Sequence, residues 1–324
     1  MKWVIGFVTG VLLASSSFYF YWKSQEGFDH IATHWIYSFY EKKTELANRV
    51  HEPKLLIASG STSLFAFDSA RISDEIQMPV INYGVAVGLG LKYILHKAKE
   101  QLSPGDVVLL PLEYKLYVDE HVPDKSLPLH LLDVPEYFST LTFIEKMNIV
   151  LFTPTITFID AFSPSQSSFH KDLYNVKSLN DYGDIDTDEM KRIYIEHNIH
   201  KYSFPGITPI AINERSTALI TDFVTWAQQN DITVLAMPPA VNVSLALDSQ
   251  SSEAVKHSLI NFWSSLGVEF LGEHAMFEFA KEYMFENPYH LNDRGRALYM
   301  DALLGKSDFL KVMITHQKLY AQLH

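Results

Sequence analysis

Short apolar runs and amphipathic stretches alternate along this chain. Three runs, Lys54–Ser59, Pro79–Asn82 and Val107–Leu110, are too short for buried helices and are bounded by Pro, Gly, Ser or Asn, so they predict strands. Between them, Ser69–Gln77 and Leu89–Gln101 carry helical spacing, and Ser103-Pro104-Gly105-Asp106 stops the second. The alternation resumes with a helix over Ser216–Asn230 and a strand over Asp231–Met237, which Pro238-Pro239 ends. A helix over Ser251–Leu266, a strand over Val268–Leu271 and helices over Asp293–Leu304 and Ser307–Leu323 complete the pattern. Strands separated by helices predict an α/β domain over residues 54–324 with a three-layer parallel sheet. From Asp119 to about Glu214 the periodicity fades into mixed prolines, aromatics and polar residues, which reads as an insertion. It is either surface elaboration or a cap over a site.

The N-terminal pattern differs. Trp3 to Trp22 is uncharged and lies between Lys2 and Lys23. At about 1.5 Å per residue such a run just crosses a hydrocarbon layer of about 30 Å. Trp3 would lie near one interface and Tyr19, Tyr21 and Trp22 near the other. Residues 1–25 are therefore expected to be a single-pass anchor in the inner (plasma) membrane, with the body on the periplasmic or extracytoplasmic side. A cleaved signal peptide ending near Ala14-Ser15-Ser16 is the rival expectation, and a buried soluble helix the third. Residues 26–53 follow as a juxtamembrane helix with Ile31, Trp35, Ile36, Phe39, Tyr40 and Leu46 at helical spacing.

Composition narrows the chemistry. A formal net charge of −12 argues against binding along a nucleic-acid backbone. The absence of cysteine removes thiol catalysis, disulfides and cysteine metal sites. His30 and His34 stand four apart on a helix, but no glutamate accompanies them as in a metalloprotease helix. His197 and His200 form a weaker pair, and both pairs read as solvated histidines, so no metal and no cofactor is expected. Gly84, Gly88 and Gly90 have the wrong spacing for a dinucleotide loop.

The candidate chemistry lies at strand ends. The run Leu55-Leu56-Ile57-Ala58-Ser59-Gly60-Ser61-Thr62-Ser63 reads as a buried strand turning into a helix, which brings Ser61 to the C-terminal edge of the sheet. Ser59 and Ser63 compete with it, and serine-rich turns are often only structural. His290 lies in the loop Asn287-Pro288-Tyr289-His290-Leu291, just before a helix that Asn292 or Asp293 caps. Ser61 and His290 make a candidate nucleophile and base. Asn82-Tyr83-Gly84 follows the second strand, where Gly84 N–H can join Ser61 N–H as an oxyanion donor.

In this order, Gly60-Ser61, Asn82-Tyr83-Gly84, Leu110-Pro111-Leu112-Glu113-Tyr114 and Asn287-Pro288-Tyr289-His290 resemble the four blocks of the SGNH/GDSL hydrolase superfamily. The resemblance covers roughly Lys54–Leu116 and Ile232–Leu304. It implies a flavodoxin-like α/β fold, Ser61 as nucleophile, Gly84 as oxyanion donor and His290 as base. Two positions depart from the family pattern. Asn287 stands where the family carries an aspartate, and can fix the histidine tautomer but cannot stabilise an imidazolium by charge. Glu286 is adjacent and is the alternative carboxylate for that role, although at a different spacing. Glu113 stands near the missing third-block asparagine, where a carboxylate opposes an oxyanion or binds a substrate group. With the anchor, the chain is similar to envelope proteins serving polysaccharide O-acetylation or D-alanylation, whose partner is a multi-span membrane acyltransferase. The implied activity is an acyl-ester transferase or esterase acting on an acyl donor and a glycan or other hydroxyl acceptor. The alternative is a non-catalytic assembly or glycan-binding subunit.

Overall fold

The computed structural model describes residues 2–24, 33–118, 126–152, 168–203, 205–242 and 249–323. Its strands are β1 (Leu55–Ile57), β2 (Val80–Asn82), β3 (Val107–Leu110), β4 (Thr233–Ala236), β5 (Val241–Asn242), β6 (Glu269–Phe270) and β7 (Glu278–Phe279). Five of them pair in parallel in the order β2-β1-β3-β4-β6, and β5 and β7 form a second parallel pair. Leu55 lies opposite Val80 and Val107, and Ile57 opposite Asn82 and Leu109. The chain winds outward from β1 to β2, then returns to build β3, β4 and β6 on the other side. That reversal opens a crevice beyond the carboxyl ends of β1 and β3, where open α/β sheets bind their ligands.

The first helices are α1 (Lys2–Ser24), α2 (His34–Asn48), α3 (Thr62–Ala66), α4 (Ser69–Ile76), α5 (Gly90–Lys99), α6 (Ser126–Asp133), α7 (Pro135–Thr140) and α8 (Phe143–Phe152). Then come α9 (Ser168–Leu173), α10 (Thr187–Glu196), α11 (Glu214–Gln229), α12 (Ser249–Ser265), α13 (Asp293–Gly305) and α14 (Phe309–Leu323). Because side chains alternate along a strand, Leu55, Ile57, Val107, Leu109 and Leu235 share one sheet face. There they meet Ile72 and Ile76 of α4, Tyr299 and Leu303 of α13, and Phe309 and Met313 of α14 in one core. Each such fully buried side chain stabilises the fold by about 1.5–3 kcal/mol relative to exposure. Outside that core, α5 and α11 pack on each other, and α11 on β4. This is an α/β fold with helices layered on a parallel sheet. At the opposite, N-terminal edge, Lys54 Nζ and Asp106 Oδ2 form a buried ion pair at 2.6 Å, and Asp106 also accepts the Lys54 and Ser103 N–H groups.

Contacts divide the chain into two units, Met1–Tyr37 with Glu120–Gln166, and Ser38–Asp119 with Ser167–His324. The sheet and the candidate site belong wholly to the second. The insertion expected over 119–214 is thus split between them. Much of its described part is helical (α6–α10), although residues 119–125, 153–167 and 204 lie outside the described residues. Its later half supports the domain from within: Ile185 N–H donates to the Leu64 carbonyl at 3.2 Å. In the first unit, Leu129, Leu131, Val134, Tyr137 and Ile149 are buried.

The N-terminal run does form a helix, α1, but among the described residues no helix is long and apolar enough to cross a membrane. The membrane-spanning anchor expected there is not found among them. Gly6, Thr9, Gly10 and Ser15-Ser16-Ser17 dilute the apolar character of the run. Within residues 26–53, expected as a juxtamembrane helix, α2 covers His34–Asn48. Residues 25–32, including His30 of the first histidine pair, lie outside the described residues.

Candidate functional site

Ser61 stands at the head of α3, half-buried, with helical backbone angles (φ −72°, ψ −16°). Residues four apart on a helix share a face, so Ser61 and Phe65 lie one above the other. The His290 ring stacks on Phe65 with centroids 3.9 Å apart and planes 13° apart. Thr62 Oγ1 reaches the Tyr289 carbonyl at 3.1 Å and the Ala240 carbonyl at 3.3 Å, tying the serine turn to the histidine loop. Ser61 and His290 therefore share the carboxyl edge of the sheet. They do not hydrogen-bond: among the described residues Nε2 of His290 has no partner, although the residue is only 2% exposed.

The other ring nitrogen is held. His290 Nδ1 lies 2.6 Å from Glu286 Oε1 and 2.7 Å from Asn287 Nδ2. An amide nitrogen is only a donor, so a Nδ1 proton can go only to the carboxylate, and that charge-assisted bond is the stronger one. Asn287 Nδ2 donates to the same Glu286 oxygen at 3.2 Å, and Asn287 Oδ1 accepts the Tyr289 N–H at 2.8 Å. The carboxylate that orients His290 is thus Glu286. Asn287 shapes the loop and steadies the carboxylate. With the proton on Nδ1, Nε2 is the acceptor nitrogen.

The N–H groups around Ser61 are differently disposed. Glu113, fully buried at the end of β3, accepts Thr62 N–H on Oε1 and Gly60 N–H on Oε2, both at 3.0 Å. Ser59 Oγ lies 2.7 Å from Glu113 Oε2 and from the Pro111 carbonyl. A Cβ on Gly60 would collide with this carboxylate and with Val87, which explains the glycine. Gly84 N–H, expected to face an oxyanion, donates instead to Asn82 Oδ1 at 3.1 Å. Gly84 also lacks room for a side chain, since a Cβ would lie 2.6 Å from Ser63 Cβ. Asn82 itself is buried, and its Nδ2 donates to Ser63 O and Asp184 Oδ1, both at 2.7 Å, so its amide is spent on structure. Ser61 N–H and hydroxyl have no hydrogen-bond partner among the described residues.

Three buried charges brace this arrangement. Lys43 of α2 donates to the carbonyls of Asn82 (2.7 Å), Gly84 (2.8 Å) and Gly183 (2.6 Å). Burial pulls its pKa down to about 7, with Asp184 acting the other way. Asp184 accepts both Ser69 N–H and Ser69 Oγ–H at 2.8 Å. Arg296 of α13 donates to Phe65 O and Leu64 O at 3.0 Å and to Ile185 O at 2.8 Å. Burial lowers its pKa, opposed first by Asp184. A carboxylate at the head of α3 and a guanidinium at its tail match the polarity of the helix. Sequence reading missed Lys43, Asp184 and Arg296.

A further grouping, Asp172, Glu196 and His197, places potential ligand atoms within 4.8 Å of one another. His197 Nε2 there hydrogen-bonds Asp172 Oδ2 at 2.9 Å, and Glu196 is engaged by Arg192, so these side chains already have partners within the chain. No protein-family model matches the chain, and no curated protein does.

Proposed function

We propose that this protein is an SGNH-like acyl-ester transferase or esterase. The observation that carries the reading is His290: its Nδ1 is fixed by Glu286 while the buried Nε2 has no partner among the described residues, beside a serine turn on the carboxyl edge of the sheet. The strand order and the sequence order of Ser61, Gly84 and His290 support it. In this reaction Ser61 Oγ attacks the acyl carbonyl and its proton passes to His290 Nε2. The tetrahedral intermediate collapses, the C–O bond to the leaving group breaks, and His290 returns the proton to that oxygen. A glycan hydroxyl or water then attacks the acyl-enzyme, gives its proton to His290, and releases the product as Ser61 regains its hydrogen. Glu286 stabilises the imidazolium at each stage by its charge.

Support for an envelope location comes from the uncharged run in α1 and from Trp3, Val4, Ile5 and Phe7, which are exposed on it. Membrane attachment through α1, with a multi-span acyltransferase as partner, completes the proposal. Alkaline extraction of membranes tests the attachment, and release of the full chain into the soluble fraction would refute it.

The activity is tested by labelling the detergent-solubilised chain with a fluorophosphonate probe, comparing wild type with Ser61→Ala and His290→Ala. Labelling lost in both variants supports the reading, and a folded wild type that stays unlabelled rejects it. A second reading, a non-catalytic assembly or glycan-binding subunit, is favoured by Glu113, whose carboxylate takes the N–H groups flanking Ser61. In that case the same experiment gives no labelling.

A further inference from the structure

The Glu113 carboxylate is fully buried and brackets Ser61, since its oxygens accept the N–H groups of the residues on either side, Gly60 and Thr62. The same group therefore does two things with opposite consequences for chemistry at Ser61. Its hydrogen bonds fix the turn that presents the hydroxyl. Its negative charge lies beside the N–H of Ser61, which has no hydrogen-bond partner among the described residues and faces where an oxyanion would have to develop. A fixed like charge raises the energy of an oxyanion in a water-poor site. Gly84 N–H offers little compensation because Asn82 Oδ1 already holds it.

We infer that Glu113 is a positioning residue that sets the reactivity of Ser61, holding the serine turn in place while its charge suppresses attack by the serine. The inference rests on the acyl-transfer reading above. It predicts that neutralising Glu113 speeds the serine, although it weakens the turn. A residue that only supported the turn would act in the opposite direction, so the sign of the effect separates the two roles.

The test is the second-order rate of fluorophosphonate labelling for wild type, Glu113→Gln, Glu113→Asp and the double variant Glu113→Gln/Ser61→Ala, each full-length, in detergent, and checked for folding by circular dichroism. In labelling, Ser61 Oγ bonds to phosphorus, fluoride leaves, and the serine proton passes to His290. Glu113→Gln keeps the size and removes the charge, and is expected to label at least about tenfold faster than wild type. Glu113→Asp keeps the charge and shortens the reach, and is expected to be no faster than wild type. An unchanged or slower rate in folded Glu113→Gln overturns the inference, and so does equal acceleration in Glu113→Asp, which would reflect a loosened turn. Wild type and Glu113→Gln labelling equally through Ser61 would leave the acyl-transfer reading standing while removing the role of Glu113. Persistence of label in the double variant would overturn both, because the labelled group would not be Ser61.

Discussion

Arg296 offers the sharpest test of how the serine turn is held. Helix α3 has only five residues, too few to be stable through its own hydrogen bonds. Arg296, 4% exposed, meets two of its carbonyls, Leu64 and Phe65, and also Ile185 O and, at 3.2 Å, Thr187 Oγ1. Replacing it with methionine fills most of the volume and removes every donor. Each buried acceptor left unmatched costs about 1–3 kcal/mol; Leu64 O keeps the Ile185 N–H, so the Phe65 and Ile185 carbonyls together cost about 2–6 kcal/mol. Removing a buried guanidinium recovers part of its desolvation cost, while Asp184 loses a compensating charge. The net loss is expected to be about 3–5 kcal/mol, as for breaking a buried ionic network. That is a large share of the 5–15 kcal/mol that stabilises a typical domain. Urea unfolding of the full chain, followed by circular dichroism, measures it. Arg296→Lys, which keeps the charge but not the planar fork, is expected to recover less than half of the loss. A loss below about 1 kcal/mol in Arg296→Met would refute the claim that these bonds hold α3.

Other perturbations separate the remaining groups. Glu286→Gln removes a charge 2.6 Å from His290 Nδ1 and is expected to slow serine labelling by about a hundredfold or more, whereas Asn287→Ala should cost less; equal losses would reverse the roles given to the two side chains. Burial, the main cause, lowers the His274 pKa from 6.5 to about 4. The unfolded chain then binds the extra proton first, so this stabilisation is whole above pH 6.5 and is lost as pH falls toward 4, to a total of about 3 kcal/mol. Urea midpoints for His274→Phe that fall as steeply as wild type over that range would refute the assignment. Asp106→Ala strands the Lys54 ammonium, 5% exposed in its side chain, and is expected to destabilise the fold by about 3–5 kcal/mol without changing the relative labelling of folded protein. A thermal or urea shift near zero would show that the pair contributes nothing.

Much of the sheet was legible because each buried parallel strand is a short, nearly continuous apolar run closed by a turn signal. Val107–Leu110 matches the prediction, and the other strands of the main sheet are shorter than their predicted runs by frayed ends. The insertion was not legible because α6, α7 and α9 have only eight, six and six residues, too short for a 3.6-residue period to emerge, and Pro128 and Pro135 look like breakers although Pro135 is the first residue of α7. At the site, Ser61 and His290 were found because they stand at element ends, where a sequence marks its turns. Glu286 stands off the family spacing yet takes the carboxylate role, since a loop is not bound by the spacing of a motif. The bracing charges had a signal that went unused. Lys43 falls on the buried stripe Phe39, Tyr40, Leu46 and Ala47 of α2, and Arg296 on the stripe Tyr299, Met300 and Leu303 of α13. A cation on an apolar stripe must find carbonyls or carboxylates inside the protein.

Those two cations also account for the position of the serine turn. Lys43 draws the carbonyls of Asn82 and Gly84 toward α2, and Arg296 draws those of Leu64 and Phe65 toward α13. Glu113 draws the N–H groups of Gly60 and Thr62 toward β3. The backbone on both sides of the crevice is thus fixed by charges from separate elements, and its polar groups are committed before any ligand arrives. Such a site is preorganised, so small displacements are resisted and the chemistry at Ser61 depends on which charges stand nearby. One of them, Glu286, favours proton transfer to His290, whereas the other, Glu113, disfavours negative charge at Ser61. Because the two carboxylates act on opposite ends of the same proton transfer, their neutral variants should move serine reactivity in opposite directions. The double variant Glu113→Gln/Glu286→Gln should then fall between the two single variants.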